Sequence, residues 1–372
     1  MIPESSILTQ VAMTMLPAKF NSLACLPLLE QCGGIEGFFK ESPVAFESLC
    51  RTVHTPVHSP DRTLALEKAK RELEEMDKHG IHTCSIEHPG YPELLAQCED
   101  APLVLFYKGT LDIDAHPIRL AIVGTRQATP RCQAKVESIL TELARWEQRP
   151  AIVSGLAFGI DAAAHRASLT NNLKTYAVLG HGLHMIYPAA HKNLAEKILE
   201  TGGALISEFP CCGKVLPANF LQRNRIIAGM SQATLVAESA EKGGAMTTAR
   251  IALSYNRDVM AIPGRPEDKW SAGCNRLIKE NVAALVENAT DIAHILGLAC
   301  TPGIPRQTTL DLFTPDDNET VLLQLLTDQG NMHIDEIAVT THIPVNELSA
   351  LFLKLELEGK IIALPGKNYT VG

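Results

Sequence analysis

Between residues 119 and 290 short apolar runs alternate with stretches of helical spacing. The runs are "RLAIVGT", "AIVSG", "TYAVLG", "GALISE", "TLVAES" and "DVMAIPG", rich in β-branched residues. Nearly continuous apolar runs mark strands buried on both faces, and their alternation with helical patterns predicts βαβ units around a parallel sheet. Residues 1 to about 110 read as mainly helical: "SILTQVAMTML" and "SLACLPLLEQCGG" carry helical apolar spacing, and "LALEKAKRELEEMDKHG" is a charged amphipathic run. Residues 297–317, "GLACTPGIPRQTTLDLFTPDD", have no useful period and predict a linker. Beyond it, "NETVLLQLLTDQG", "HIDEIAVTTH" and "PVNELSALFLKLELEGK" predict three helices, and "IIALPGKNYTV" predicts two strands around a Pro-Gly turn. Three helices and a hairpin make the winged-helix plan. The expected division is therefore 1–110, a helical N-terminal domain and lead-in; 111–296, the sheet domain; 297–317, the linker; and 318–372, a winged-helix-like module.

The chain has 372 residues and is 46% hydrophobic, enough for a large core and more than one domain. Its net charge of -9 means that any contact with nucleic acid has to come from a local basic surface. The tail sharpens the point, since residues 318–372 carry seven acids against three lysines, fewer cations than a groove-reading helix normally has. The ten cysteines form no C-x-x-C pair and lie in apolar segments, which predicts reduced thiols and a cytoplasmic setting; the vicinal Cys211 and Cys212 read as loop residues. No signal-peptide pattern opens the chain, and no apolar run reaches the ~20 residues of a membrane span.

In an open parallel sheet, ligands bind beyond the carboxyl ends of the strands. Those ends are glycine-rich and polar here: Gly124-Thr125-Arg126, Ser154-Gly155, Gly180-His181-Gly182, Ser207-Glu208, Glu238 with Lys242-Gly243-Gly244 behind it, and Pro263-Gly264. Small residues let backbone N–H groups and helix N-termini approach an anion, and Arg126 adds a bidentate fork for phosphate. Cofactor motifs are absent. "GHGLHM" at 180–185 puts Met185 where a dinucleotide fingerprint needs its third glycine, and no P-loop occurs. The pairs His181/His184 and His54/His58 lack a third ligand at suitable spacing and read as loop histidines. Asp161 and His165, four apart in "GIDAAAH", fit an acid/base pair, but Asp161 also suits a helix first turn, the reading preferred.

"FLQRNRIIAGM", residues 220–230, sets two arginines around an asparagine, behind a phenylalanine and before an apolar helix-like run, with no carboxylate near them. No acidic residue occurs from Phe209 to Ala237, while Lys214, Arg223 and Arg225 do, and Phe220 stands three residues before the first arginine. An aromatic face beside phosphate donors is how single-stranded nucleic acid is held. The structural alternative is that Arg223 pairs with a carboxylate such as Glu208 or Glu238 and that Phe220 is core.

The segments "AIVGTR", "IVSGLAFGIDAAAHRASL", "YAVLGHGLHMIYPAAHKNL", "GALISEFP", "FLQRNRIIAGMSQATLVAESAEKGGAMTTARIAL" and "VMAIPG" closely resemble, in order, the DNA-processing protein A (DprA/Smf) family. The family pattern also takes in "HPGYPELLAQCEDAPLVLFYKG" at 88–109, an N-terminal helical (SAM-like) domain and a C-terminal winged-helix-like module. The resemblance implies a Rossmann-like core, single-stranded DNA binding, a homodimer, help in loading RecA recombinase during natural transformation, no cofactor and no catalysis. The DNA-contacting positions it implies are Gly124, Thr125, Arg126, Ser154, Gly155, Phe220, Arg223, Asn224, Arg225, Lys242, Gly243 and Gly244; the contact that some relatives make from a lysine where this chain has Pro217 is either missing here or supplied by Lys214. The family's post-strand "SGS" reads Gly243-Gly244-Ala245 here, and Ala18-Lys19-Phe20 replaces a helix-hairpin-helix glycine signature. Two other classes share parts of the pattern. Rossmann-like phosphoribohydrolases need a catalytic carboxylate, for which Glu238 or Asp161 is available, and a winged-helix transcription factor needs a basic tail, which is missing.

Overall fold

The computed structural model describes residues 4–17, 20–52, 60–298, 317–341, 343–357, 360–364 and 366–371. Most of the expected linker, Ala18-Lys19 and the pair His54/His58 fall outside them. Two compact units are present, 1–301 and 302–372.

In the first unit, helices α1 (Glu4–Thr14), α2 (Leu26–Cys32), α3 (Ile35–Lys40), α4 (Pro43–Thr52) and α5 (Arg62–His79) come first, as their apolar spacing predicts. They gather around Phe20, Phe38 and Phe46, with Phe38 and Phe46 edge to face at 5.1 Å. Strands β1 (His82–Ser85) and β2 (Val104–Gly109) then flank the short helix α6 (Glu93–Ala96). Both join the main sheet, which the helical reading of 1–110 did not foresee; β1 pairs β2 antiparallel, and β2 pairs the distant β6.

The six expected strands all form: β3 (Arg119–Gly124), β4 (Ala151–Ser154), β5 (Thr175–Leu179), β6 (Ala204–Ser207), β7 (Ala233–Glu238) and β8 (Asp258–Ala261), with a two-residue β9 (Ala284–Leu285) added. Between and after them run α7 (Pro130–Leu143), α8 (Ile160–Thr170), α9 (Lys192–Glu200), α10 (Pro217–Gly229), α11 (Gly244–Ser254), α12 (Ala272–Lys279) and α13 (Ala289–Ile295). The nine strands lie in the order β1-β2-β6-β5-β4-β3-β7-β8-β9, and from β6 to β9 every pairing is parallel. This is the expected Rossmann-like α/β core. Chain order runs outward from β3 to β6 on one side and resumes with β7 on the other, so the topological switch point lies between β3 and β7. The central strands β4 to β7 are buried throughout, and β3 nearly so, because helices cover both faces: Ile122, Leu120 and Leu235 pack against α7, while Ala121, Val123 and Val236 face the layer of α10 and α11.

The second unit holds α14 (Asp317–Gln329), β10 (Met332–His333), α15 (Ile334–Thr341), α16 (Val345–Leu357), β11 (Ile361–Leu364) and β12 (Asn368–Val371). Its sheet has the order β10-β12-β11, and its core includes Leu322, Ile337, Leu348, Phe352 and Leu355. Phe352 and Tyr369 stack at 3.9 Å with ring planes 10° apart. This is the winged-helix module expected from the periodicity, with β10 as an extra strand. Among the described residues no helix is long and apolar enough to cross a membrane.

Candidate nucleic-acid interface

A cavity of about 320 Å³ opens at the carboxyl ends of β3 and β7, at the switch point. Its walls bring together the Gly124-Thr125-Arg126 loop, the start of α8 at Asp161, Phe220, Arg223 and Asn224 on α10, and Gly243-Gly244 at the start of α11. The two strand ends are tied to each other, since Thr125 N–H donates to the Glu238 carbonyl at 2.7 Å.

Helix α10 begins at Pro217, whose fixed φ suits a first helical position, and this explains locally why a proline stands there. The loop before it is held from far away: the carboxylate of Glu72 on α5, completely buried, accepts the backbone N–H groups of Cys211 and Cys212, the latter at 2.8 Å. Both thiols are free, and burial raises them, Cys212 to about 11.

The two arginines of α10 part company. Arg223 is 4% exposed; its guanidinium donates to the Val178 carbonyl, and its Nε has no partner. Burial lowers its pKa to about 10, against the opposing field of Asp161, so it stays charged on the cavity floor. Arg225 points elsewhere. Its Nη2 lies 2.5 Å from Glu208 Oε2, and the two side chains are only 11% and 5% exposed. The ion pair expected as the alternative exists, but Arg225 makes it and not Arg223. Arg225 is not among the residues that line the cavity; its Nη2 is held by Glu208, while its Nη1 is buried without a partner.

Several of the glycines also make room for neighbouring side chains. A β-carbon at Gly155 would stand 2.0 Å from Arg223 Nη1, and one at Gly124 would stand 2.4 Å from Ile160 Cγ1. These positions are small to admit neighbouring side chains, so Gly155 makes room for Arg223 and does not face the cavity. Gly244 differs, because nothing lies within 4 Å of its β-carbon position. N-cap Gly243 supplies no side-chain cap to α11, and the helix's first turn has no acid. Its first N–H groups border the cavity uncapped, which is the condition for anion binding at a helix N-terminus.

Ser154 is fully buried and donates to the Ile122 carbonyl at 2.6 Å, so its hydroxyl ties β4 to β3 and is lost to a ligand. The loop behind it carries strain: Leu156 sits at φ 58, in the left-handed region, held by complete burial and by His191 Nδ1–H on its carbonyl at 2.8 Å. Lys242 is exposed beside Gly243, while Lys214 is exposed on the loop before α10, outside the cavity lining. Arg126 is exposed at the mouth and forms no ion pair among the described residues. Phe220 is half-buried. Its ring lies 5.7 Å from that of Tyr187, and Gly180 leaves space for it, with a β-carbon there 2.9 Å from Cδ1.

Asp161 is buried and accepts from Ala157 N–H at 3.4 Å; burial raises its pKa, with Arg223 opposing. Glu238 accepts Thr129 N–H at 2.8 Å and the Thr129 hydroxyl at 2.9 Å, and so holds the N-cap residue of α7. His181 is a loop histidine as expected, its Nε2 accepting from Tyr187 N–H at 3.2 Å. Among the described residues no group of His, Cys, Asp and Glu could hold a metal. The sequence reading missed Trp270 on the cavity wall. Its signal was available: one of two tryptophans, placed just behind the last long strand.

Known proteins share this arrangement. The family model for DNA recombination-mediator protein A matches residues 82–297, and that for the DprA winged helix domain matches 306–367. Protein Smf of Escherichia coli K12 is 39% identical over 300 residues, covering 79% of this chain and 78% of that protein. The DNA processing protein DprA of Streptococcus pneumoniae is 42% identical over 202 residues, 54% of this chain and 70% of that protein. The X-ray structure of DprA from Streptococcus pneumoniae aligns with a TM-score of 0.64 at 30% identity, covering 81% of this chain and 100% of that chain. A structure of DNA processing protein A from Helicobacter pylori, solved for its single-stranded DNA binding mode, aligns with a TM-score of 0.50 at 27% identity, covering 58% of this chain and 95% of that chain. With the sheet, the switch-point loops and most of the tail module inside these matches, the chain belongs to the DNA recombination-mediator protein A (DprA/Smf) family.

Proposed function

We propose that the switch-point cavity binds single-stranded DNA, and that the protein acts as a homodimeric mediator that helps load RecA recombinase onto DNA in natural transformation. The observation that carries the DNA reading is the meeting of Arg126, exposed and without an ion pair among the described residues, with half-buried Phe220 and the start of α11, which has no side-chain cap, on one cavity. Phosphate is served by the first and third, a base face by the second. The single-stranded DNA binding mode of the Helicobacter pylori relative supports the same ligand. Partnership with RecA and dimerisation rest on family membership.

Binding is favoured over nucleotide hydrolysis by the state of the two carboxylates. Glu238 is engaged by Thr129, and Asp161 is buried against Arg223 and the Ala157 amide, so each is held in a structural contact. The experiment is a salt series with oligothymidine, read beside an assay for free base released from nucleoside monophosphates. If three or four phosphates are neutralised, log affinity falls against log salt with a slope of about -2 to -3. A flat response, or release of free base, overturns the reading.

A further inference from the structure

A second cavity, of about 380 Å³, lies on the same edge of the sheet between the start of α7 and the loop that follows β8. Its walls carry Arg131, Lys135 and Arg265, all exposed and none in an ion pair among the described residues. Arg131 and Lys135 stand in the first two turns of α7, where the helix dipole disfavours cations, and that helix has no acid in its first turn. Stability alone does not ask for this placement. Two carboxylates share the wall, Glu238 and Asp268, but both oxygens of Glu238 are already occupied by Thr129.

The two cavities are neighbours along the chain as well as along the edge. Glu238 lines the second and Ser239 the first; Ser271 lines the second and Trp270 the first. Trp270 is partly exposed, with the ammonium of Lys269 5.1 Å from its ring centroid. An aromatic face therefore stands at the passage from one cavity to the next.

We propose that the second cavity is a further station for the phosphodiester backbone of a single strand, entered across Trp270, which stacks on a base of the crossing segment. This rests on the single-strand reading above and extends the site beyond the switch point. Free phosphate has the same oxygen chemistry, so the test has to separate the two sources.

The test uses the full chain with oligothymidines of about four and about twelve nucleotides. The longer strand should show the steeper salt slope, and Trp270→Ala should weaken the longer strand more than the shorter one. Combining Arg131→Ala, Lys135→Ala and Arg265→Ala should flatten the long-strand slope by about 2, at roughly 0.7 per phosphate, and leave the short strand unchanged. Equal long-strand slopes for wild type and the triple variant overturn the proposal while the first cavity stands. Inorganic phosphate bound by wild type and lost in the triple variant, with no difference between the two on the long strand, also overturns it, in favour of a free-anion site. If wild type binds neither length, or Arg126→Ala leaves short-strand binding intact, it is the first-cavity reading that fails.

Discussion

Gly155 is what allows Arg223 to occupy the cavity floor: a β-carbon at position 155 would stand 2.0 Å from Nη1 and 2.5 Å from Cζ of the guanidinium. Arg223 cannot simply swing aside, since it is buried and held by the Val178 carbonyl. Gly155→Ala should cost about 1–3 kcal/mol of stability through overpacking, measured by urea unfolding, and should weaken oligothymidine binding in the same protein. Wild-type stability together with wild-type affinity would show that the two residues are not coupled.

Arg126 and Phe220 are expected to fail in different ways. Arg126→Ala removes a charged hydrogen bond, costing about 1.5–3 kcal/mol of binding, and should flatten the salt slope by about 0.7. Phe220→Ala should cost about 1–3 kcal/mol per stacked base with the slope nearly unchanged. Binding isotherms over a range of salt separate the two, and an unchanged slope in the Arg126 variant would remove that residue from phosphate contact.

Arg225 belongs to stability. Its pair with Glu208 is buried, and deleting the cation leaves Glu208 uncompensated beside Gln222, whose Nε2 donates to the same oxygen at 3.1 Å. Arg225→Ala should destabilise by about 3–5 kcal/mol in denaturant, while Arg225→Ala with Glu208→Gln should recover part of that loss. A variant that folds as well as wild type but loses DNA would return Arg225 to the binding surface.

That division shows how far sequence reaches. The six long strands were legible because each is an apolar run bounded by glycine or polar residues, and the switch-point loops follow from their ends. The pair Arg223/Arg225 was legible only as charge. Two residues on a helix point about 200° apart, so one had to turn away from any site the other faces, but which one depends on Glu208 and Val178, brought in by other strands. The glycines were visible as small residues. That Gly155 makes room for Arg223 while Gly244 faces open space is a tertiary fact. β1, "HTCS", lacks an apolar run altogether and becomes a strand by pairing with β2, and Glu72 gave no sign in its charged helix of bonding Cys211 and Cys212.

His165 makes the folded state sensitive to mild acid. The Thr175 hydroxyl donates to the Ile152 carbonyl at 3.0 Å, so it accepts from His165 Nδ1–H at 2.7 Å, leaving Nε2 bare and buried. Burial, with the charge of Arg223 behind it, lowers the pKa to about 3 from the ordinary 6.5. The unfolded chain therefore takes up a proton below pH 6.5 that the folded chain refuses. The contribution is fully present above 6.5 and is lost toward 3, by up to about 1.4 kcal/mol per pH unit. Asp161 and Glu208, raised by burial, act in the opposite sense, since the folded state takes up their protons above the ordinary carboxylate range. Urea unfolding between pH 6.5 and 5 should show His165→Gln with a slope shallower by about one proton; parallel slopes would exclude the histidine as the cause.

The tail sets fold analogy against charge. A winged helix suggests DNA binding, yet residues 318–372 hold seven acids and three lysines, a field that repels phosphate. Exposed Val339, Val345, Leu353 and Ile362 give the module an apolar surface on its helices and wing. We propose that it serves protein contact, within the dimer or with a partner. Since residues 1–301 form a compact unit of their own, truncation near Gly297 leaves the cavity whole. Single-strand affinity of the truncated chain should stay within about threefold of the full protein, or roughly 0.7 kcal/mol. A truncated chain that loses most of its affinity, or an isolated tail that binds duplex or single-stranded DNA at physiological salt, would show that here the fold outweighs its charge.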